Sequence, residues 1–329
     1  MWLVFFVEIR YNINVYKEYY FEVITMSNII AVVWDFDKTL IGTYMQEPIF
    51  EKYNVDGNTF WKEVNALPDK YLKEQGVRVN EDTIYLNHFI NYVKNGKFAG
   101  LNNKILTELG AKLKFYNGLP ALMDVTKRMI ADNSKYSEYD IKVEHYIVST
   151  GFTAMIKGSA IQPFVSRIWG CELIEAPNEN GEMVISEIGY TIDNTTKTRA
   201  LFEINKGVGI IENVNVNTKL PEEMRRVRFE NMIYIADGPS DVPAFSTLNK
   251  SGGATFAIYP HNDEKAFKQV EQLRKDGRIN MYAEADYSEG TTAYMWITGK
   301  IREFADRIRE TERRKLQSSI SETPRHLTD

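Results

Sequence analysis

Cysteine is almost missing from this chain. Cys171 stands alone, so no internal disulfide can form, and a reducing, cytoplasmic setting is the expected one. A basic surplus is missing too: the net charge of −5 excludes the footprint of a general nucleic-acid binder. No apolar run approaches the ~20 residues that cross a bilayer, so no membrane partner is expected. Internal repeats are absent. What remains is an ordinary balance of 43% hydrophobic and 26% charged residues over 329 positions. That is enough for one large α/β domain with an inserted or appended module.

The chain is organised around Ile29-Ile30-Ala31-Val32-Val33-Trp34, followed at once by Asp35-Phe36-Asp37-Lys38-Thr39. An apolar run without alternation predicts a strand buried on both faces, as in a parallel sheet covered by helices. Ligands bind at the carboxyl edge of such strands. Two carboxylates there are costly unless a cation or a hydrogen-bond network compensates them.

Upstream, residues 1–26 read as an N-terminal extension, with Met26 the expected physiological start. Downstream, residues 44–116 carry helical spacing (Ile84, His88 and Tyr92; Ile105, Leu109 and Leu113), with breaks expected at Pro68, Gly76, Gly96 and Asn102. They read as a helical cap inserted into a core made of residues 27–43 and 117–310. Val143–Val148, Cys171–Ile174, Met232–Ala236 and Ala254–Ile258 read as further strands. Met183–Tyr190 returns as a hairpin after the Asn178–Gly181 turn. A helix opens at Thr196. Gly207-Val208-Gly209 follows that helix rather than a strand, which argues against a dinucleotide loop. Ile301, Phe304, Ala305 and Ile308 form a helical stripe, and residues 311–329 read as a polar, solvated tail.

Three polar clusters directly follow apolar strands: Asp35/Asp37, Ser149/Thr150 and Asp237/Asp241. Right-handed crossovers would bring all three to one sheet edge, within reach of Lys197. Carboxylates from two strand ends suit Mg²⁺ with a substrate phosphate. A hydroxyl and an ammonium supply donors for phosphate oxygens. One carboxylate can act as a nucleophile and another as acid and base.

In order and context, Asp35-Phe36-Asp37-Lys38-Thr39, Ser149, Lys197 and Asp237-Gly238-Pro239-Ser240-Asp241 resemble the four motifs of the haloacid dehalogenase-like superfamily. Ile147–Phe152 is similar to the second motif of its phosphoserine phosphatase-like branch. The resemblance implies a doubly wound, Rossmann-like α/β core with an inserted cap, and phosphate-ester hydrolysis of a small phosphorylated metabolite. It implies Asp35 as the nucleophile forming an aspartyl-phosphate, and Asp37 as general acid/base. Ser149, or its neighbour Thr150, and Lys197 would bind the phosphoryl group. Asp35, Asp237 and the Asp37 carbonyl would hold Mg²⁺, with Asp241 in or just outside the metal's ligand set.

An aspartate at position 37 favours phosphate transfer over dehalogenation. Cleavage of a phosphonate would need a cap lysine, for which Lys52, Lys62 and Lys70 are available. The phosphoserine-specific pattern needs an acid soon after the first motif and a cap arginine. Tyr44-Met45-Gln46-Glu47 and the lone Arg78 answer it poorly. The cap aromatics Phe50, Tyr53, Phe60, Trp61, Tyr85, Phe89 and Tyr92 are expected chiefly to pack between short helices. A catalytically idle, phosphate-binding protein on the same fold is the alternative from another functional class.

Overall fold

The computed structural model describes residues 28–321. The extension through Met26 and the last eight positions of the tail lie outside the described residues. Seven strands form one sheet: β1 (Ile29–Trp34), β2 (Lys142–Phe152), β3 (Arg167–Pro177), β4 (Met183–Tyr190), β5 (Met232–Ala236), β6 (Ala254–Tyr259) and β7 (Met281–Glu284). Their order is β4-β3-β2-β1-β5-β6-β7. Every neighbouring pair is parallel except the β3–β4 hairpin. β1 therefore lies at the centre, and the chain winds outward from it on both sides.

All six β1 residues are buried, and they alternate between two cores. Ile30, Val32 and Trp34 join one apolar cluster with Leu122, Met123, Ile301 and Phe304. Ile29, Ala31 and Val33 join the other with Leu201, Ile204, Phe245 and Leu248. Burial on both faces is why the strand lacks a polar alternation. Trp34 donates its indole N–H to His145 Nδ1 at 3.0 Å, and His145 Nε2 meets Thr126 Oγ1 at 2.9 Å. Burial pushes this imidazole down to about 3, reinforced by Lys127, so it stays neutral and structural.

The segment between β1 and the rest of the sheet is helical: α1 (Glu47–Tyr53), α2 (Gly57–Gln75), α3 (Ile84–Lys94) and α4 (Asn103–Gly110). Asp56 caps α2 by accepting from the Thr59 N–H at 2.9 Å, and Gly76 ends it in the left-handed region at φ 68. Pro68 does not break α2, contrary to the sequence expectation. Phe60, Val64 and Leu67 keep one face of the helix buried, and that packing outweighs the one backbone hydrogen bond a proline removes.

The core helices are α5 (Ala121–Ala131), α6 (Ser134–Ser137), α7 (Thr153–Gly158), α8 (Thr196–Lys206), α9 (Val242–Lys250), α10 (Glu264–Lys275) and α11 (Thr292–Ser321). α4 and α7 cross at two glycines. A Cβ on Gly110 would sit 2.0 Å from the Met155 carbonyl oxygen, and one on Gly158 would sit 1.8 Å from that of Thr107. The insertion is thus joined to the core by backbone-to-backbone packing. Phe50, Phe60, Phe89 and Phe98 continue the seam to Phe152, with the Phe89 and Phe152 rings 5.1 Å apart. Gly207 proves to be the left-handed cap of α8. α11 carries the expected stripe inward and continues through Arg313-Arg314-Lys315 to Ser321. The described part of the tail is therefore helical, with residues 313–318 exposed. Among the described residues no helix is long and apolar enough to cross a membrane.

A largely buried ion pair ties the segment before β5 to β2. Arg226 donates to Glu144 at 2.7 and 2.8 Å and to the Tyr146 hydroxyl at 2.5 Å. Burial alone would raise the Glu144 carboxyl, but the bonds and charge of Arg226 outweigh it and hold it below its usual range. A depressed carboxyl stabilises the fold above its unfolded pKa of about 4.3 and loses that contribution as pH falls through the folded value. Arg226→Met is expected to cost about 2 kcal/mol at neutral pH, a buried-pair loss reduced by partial exposure. It should also flatten the acid limb of stability below about pH 4. Urea midpoints measured across pH check both effects.

Candidate active site

β1 and β5 end nearly level, because Trp34 pairs with Ile235, while β2, whose Ile147 pairs with Trp34, runs on to Phe152 and carries Ser149 and Thr150 just past that level. Asp35 is the first residue beyond β1, and its N–H continues the ladder to the Ile235 carbonyl at 2.9 Å. The chain then turns tightly. Leu40 N–H returns to the Phe36 carbonyl at 2.8 Å, and Lys38 takes a left-handed φ of 59. This turn holds Asp35 and Asp37 at the sheet edge. Asp35 accepts from the Thr39 hydroxyl at 3.0 Å and from Lys197 Nζ at 2.7 Å. Asp37 accepts the Met45 N–H at 2.9 Å.

Lys197 is 1% exposed and also donates to Asp241 at 2.7 Å. Burial alone would lower its pKa, but the charges of Asp241 and Asp35 reverse that and keep the ammonium protonated. Its aim is set by Asp193, whose carboxylate accepts the Thr195 and Thr196 N–H groups at 3.0 and 2.7 Å and so fixes the start of α8. Asp241 is fully buried, held by the Tyr234 hydroxyl at 2.6 Å and Ser240 Oγ at 2.8 Å.

Oxygens of Asp35, Asp237 and Asp241 all lie within 4.8 Å of one another. Burial, followed by mutual repulsion with Asp35 and Asp241, raises Asp237. Asp35 is raised by burial, which outweighs the opposing charge of Lys197. Burial, reinforced by the Asp35 charge, pushes Asp37 up to about 8. Lys197 and the nearby Lys38 thus face more carboxylate than they can neutralise, and the oxygen-only donor set fits a hard divalent cation.

These groups floor a cavity of about 530 Å³, a size typical of small-molecule sites. Asp35, Asp37, Lys197, Asp237 and Thr150 reach it from the core, and Trp61, Glu81 and Tyr85 from the helical insertion. Of the paired hydroxyl residues, Thr150 lines the cavity. Ser149 is 1% exposed, and its Oγ accepts the Gly151 N–H at 2.9 Å. Every residue singled out in the four motifs therefore comes to one edge of the sheet. Lys52, Lys62, Lys70 and Arg78 do not line the cavity; its lysines are Lys38 and Lys197.

Sequence reasoning missed the residues that fasten the insertion over this floor. Asp82 accepts the Asn194 N–H at 3.1 Å and its amide at 2.9 Å, and Asn80 donates to Asp193 at 3.0 Å. Tyr85 donates to the Thr150 carbonyl at 2.6 Å. Only Asp193, three residues before Thr196, carried a local signal, that of a helix start.

No family model matches the chain. It is similar to an uncharacterized protein of Borreliella burgdorferi, 40% identical over 288 residues that cover 83% of this chain and 97% of that one. Among solved structures it is similar to a HAD family hydrolase of Salmonella enterica serovar Typhi: TM-score 0.49, 12% identity, 83% of this chain and 71% of that one. It is also similar to a phosphoserine phosphatase in apo form: TM-score 0.44, 13% identity, 78% of this chain and 94% of that one. The chain belongs to one family with the Borreliella burgdorferi protein.

Proposed function

We propose that this protein is a Mg²⁺-dependent phosphatase of a small phosphomonoester, working through an aspartyl-phosphate on Asp35. The observation that carries this reading is the Asp35–Lys197–Asp241 chain, with both contacts at 2.7 Å, set beside Asp37 and Asp237 at the floor of the cavity. Phosphate-ester hydrolysis is among the slowest uncatalysed reactions, and this site combines several of the devices that it needs.

Asp35 attacks phosphorus, forming an O–P bond as the bond to the leaving oxygen breaks. Asp37, held protonated by its buried setting, gives its proton to that oxygen. Water then attacks the aspartyl-phosphate, Asp37 takes the water's proton, and inorganic phosphate leaves with Asp35 restored. Lys197 supplies charge-assisted hydrogen bonds to phosphoryl oxygens, and the Thr150 or Ser149 hydroxyl adds another. Asp35, Asp237 and the Asp37 carbonyl would hold Mg²⁺, with Asp241 adjacent. The ion would neutralise charge on the transferring group.

A catalytically idle phosphate binder would not require an intact nucleophile and proton carrier side by side. The test is turnover of p-nitrophenyl phosphate. We expect activity with Mg²⁺ that excess EDTA removes and added Mg²⁺ restores. A rate indifferent to chelation would contradict the metal requirement, and no turnover under any metal would sink the phosphatase reading.

A further inference from the structure

The floor of the cavity is built for phosphate, but its walls carry a separate message about the rest of the substrate. Glu81 and Asp82 bring two carboxylates from the insertion, and no arginine or lysine of the insertion lines the cavity. Asp82 has both oxygens taken by Asn194. Glu81 has no hydrogen-bond or ion-pair partner for its side chain among the described residues.

A second, independent observation lies deeper. Gln46 is 2% exposed and lines the same cavity, yet its Oε1 meets no donor. A buried amide oxygen left unpaired costs free energy that a bound N–H group would recover. Part of the same cavity's lining is aromatic: Tyr44, Trp61 and Tyr85. Trp61 lies against Tyr44 and Tyr85, with ring centroids 5.4 and 5.7 Å away. Aromatic faces next to unneutralised carboxylates attract a cation and oppose an anion. Both lysines of the cavity belong to its phosphate end: Lys197 is paired with Asp35 and Asp241, and Lys38 keeps its charge in the turn beside Asp37, where the charges of Asp237 and Asp37 favour it and it donates to the Tyr44 hydroxyl at 2.8 Å.

Building on the phosphatase reading, we propose that the alcohol half of the substrate carries a cationic amine and no carboxylate, bound between Glu81, the Gln46 amide and the Trp61–Tyr85 wall. Glu81 sets this specificity by charge, and Gln46 Oε1 accepts from the ammonium.

The experiment compares kcat/KM for three esters of similar size: O-phosphoethanolamine, glycerol 3-phosphate and 2-phosphoglycolate, with Mg²⁺ present. The wild-type protein should prefer the amine over the carboxylate by about tenfold or more, as an attraction replaced by a repulsion dictates. Glu81→Gln should shrink that ratio about fivefold, mainly through KM, the scale of one partly exposed charge pair. Glu81→Lys should reverse the preference towards 2-phosphoglycolate. Equal or better use of 2-phosphoglycolate by wild type would overturn the proposal, as would a ratio that Glu81→Lys leaves unmoved. p-Nitrophenyl phosphate separates the two levels of failure. Its turnover without an amine preference removes this inference alone, whereas no turnover removes the phosphatase reading and this inference with it.

Discussion

Asp35→Asn is expected to lower p-nitrophenyl phosphate turnover by about 10⁴-fold or more, the scale on which loss of a covalent nucleophile registers. The substitution keeps the side chain's shape and leaves one oxygen to accept from Thr39 or Lys197, which bond Asp35 at 3.0 and 2.7 Å. It also removes one negative charge from a group of three carboxylates, two of them buried, whose oxygens lie within 4.8 Å of one another. Lys197 retains Asp241 as its partner at 2.7 Å. Stability should therefore stay within about 1 kcal/mol of the parent, because relief of carboxylate repulsion offsets the lost ion pair. Turnover and urea midpoint are measured on the same preparation. A rate within tenfold of the parent would show that Asp35 is not the nucleophile. A collapsed midpoint would instead make the carboxylate a structural requirement.

The parts of this site that were legible in the sequence are those with a local cause. β1 declares itself because burial on both faces demands an unbroken apolar run, and Asp35 and Asp37 stand out because carboxylates are costly just beyond such a run. The β3–β4 hairpin was readable from its Asn178–Gly181 turn, where Gly181 takes φ 78. β7 was not, since four residues at a sheet edge show no period. α10 was also missed: only Val270 and Leu273 are buried along it, so its helical stripe is too thin to read. Tyr234 looked like one more core residue of β5, because nothing in an apolar run reveals that its hydroxyl holds Asp241. The clasp from Asp82 to Asn194 spans 112 positions, and such a pair has no sequence period at all. The insertion's aromatics pack as expected, and Trp61 and Tyr85 line the cavity as well. Composition could not single out those two.

Asp37→Asn should divide substrates by how much their leaving group needs a proton. Asp37 accepts the Met45 N–H through Oδ1 at 2.9 Å, and the asparagine can keep that bond, so the turn after β1 should persist. What the asparagine cannot do is deliver a proton. An alkyl ester such as O-phosphoethanolamine leaves as a strongly basic alkoxide, so its cleavage should slow by about 10²–10⁴-fold, the range for a lost general acid. p-Nitrophenolate leaves readily as the anion, so formation of the aspartyl-phosphate from the aryl ester should be far less affected. The second half-reaction still needs a base to take the proton of the attacking water. The variant should therefore release a burst of nitrophenol, about one equivalent per site, and then turn over slowly. Rapid-quench kinetics on the two esters reads both effects at once. Equal slowing of aryl and alkyl esters with no burst would place Asp37 outside proton transfer. It would then be a carboxyl group that matters only for shaping the turn that presents Asp35.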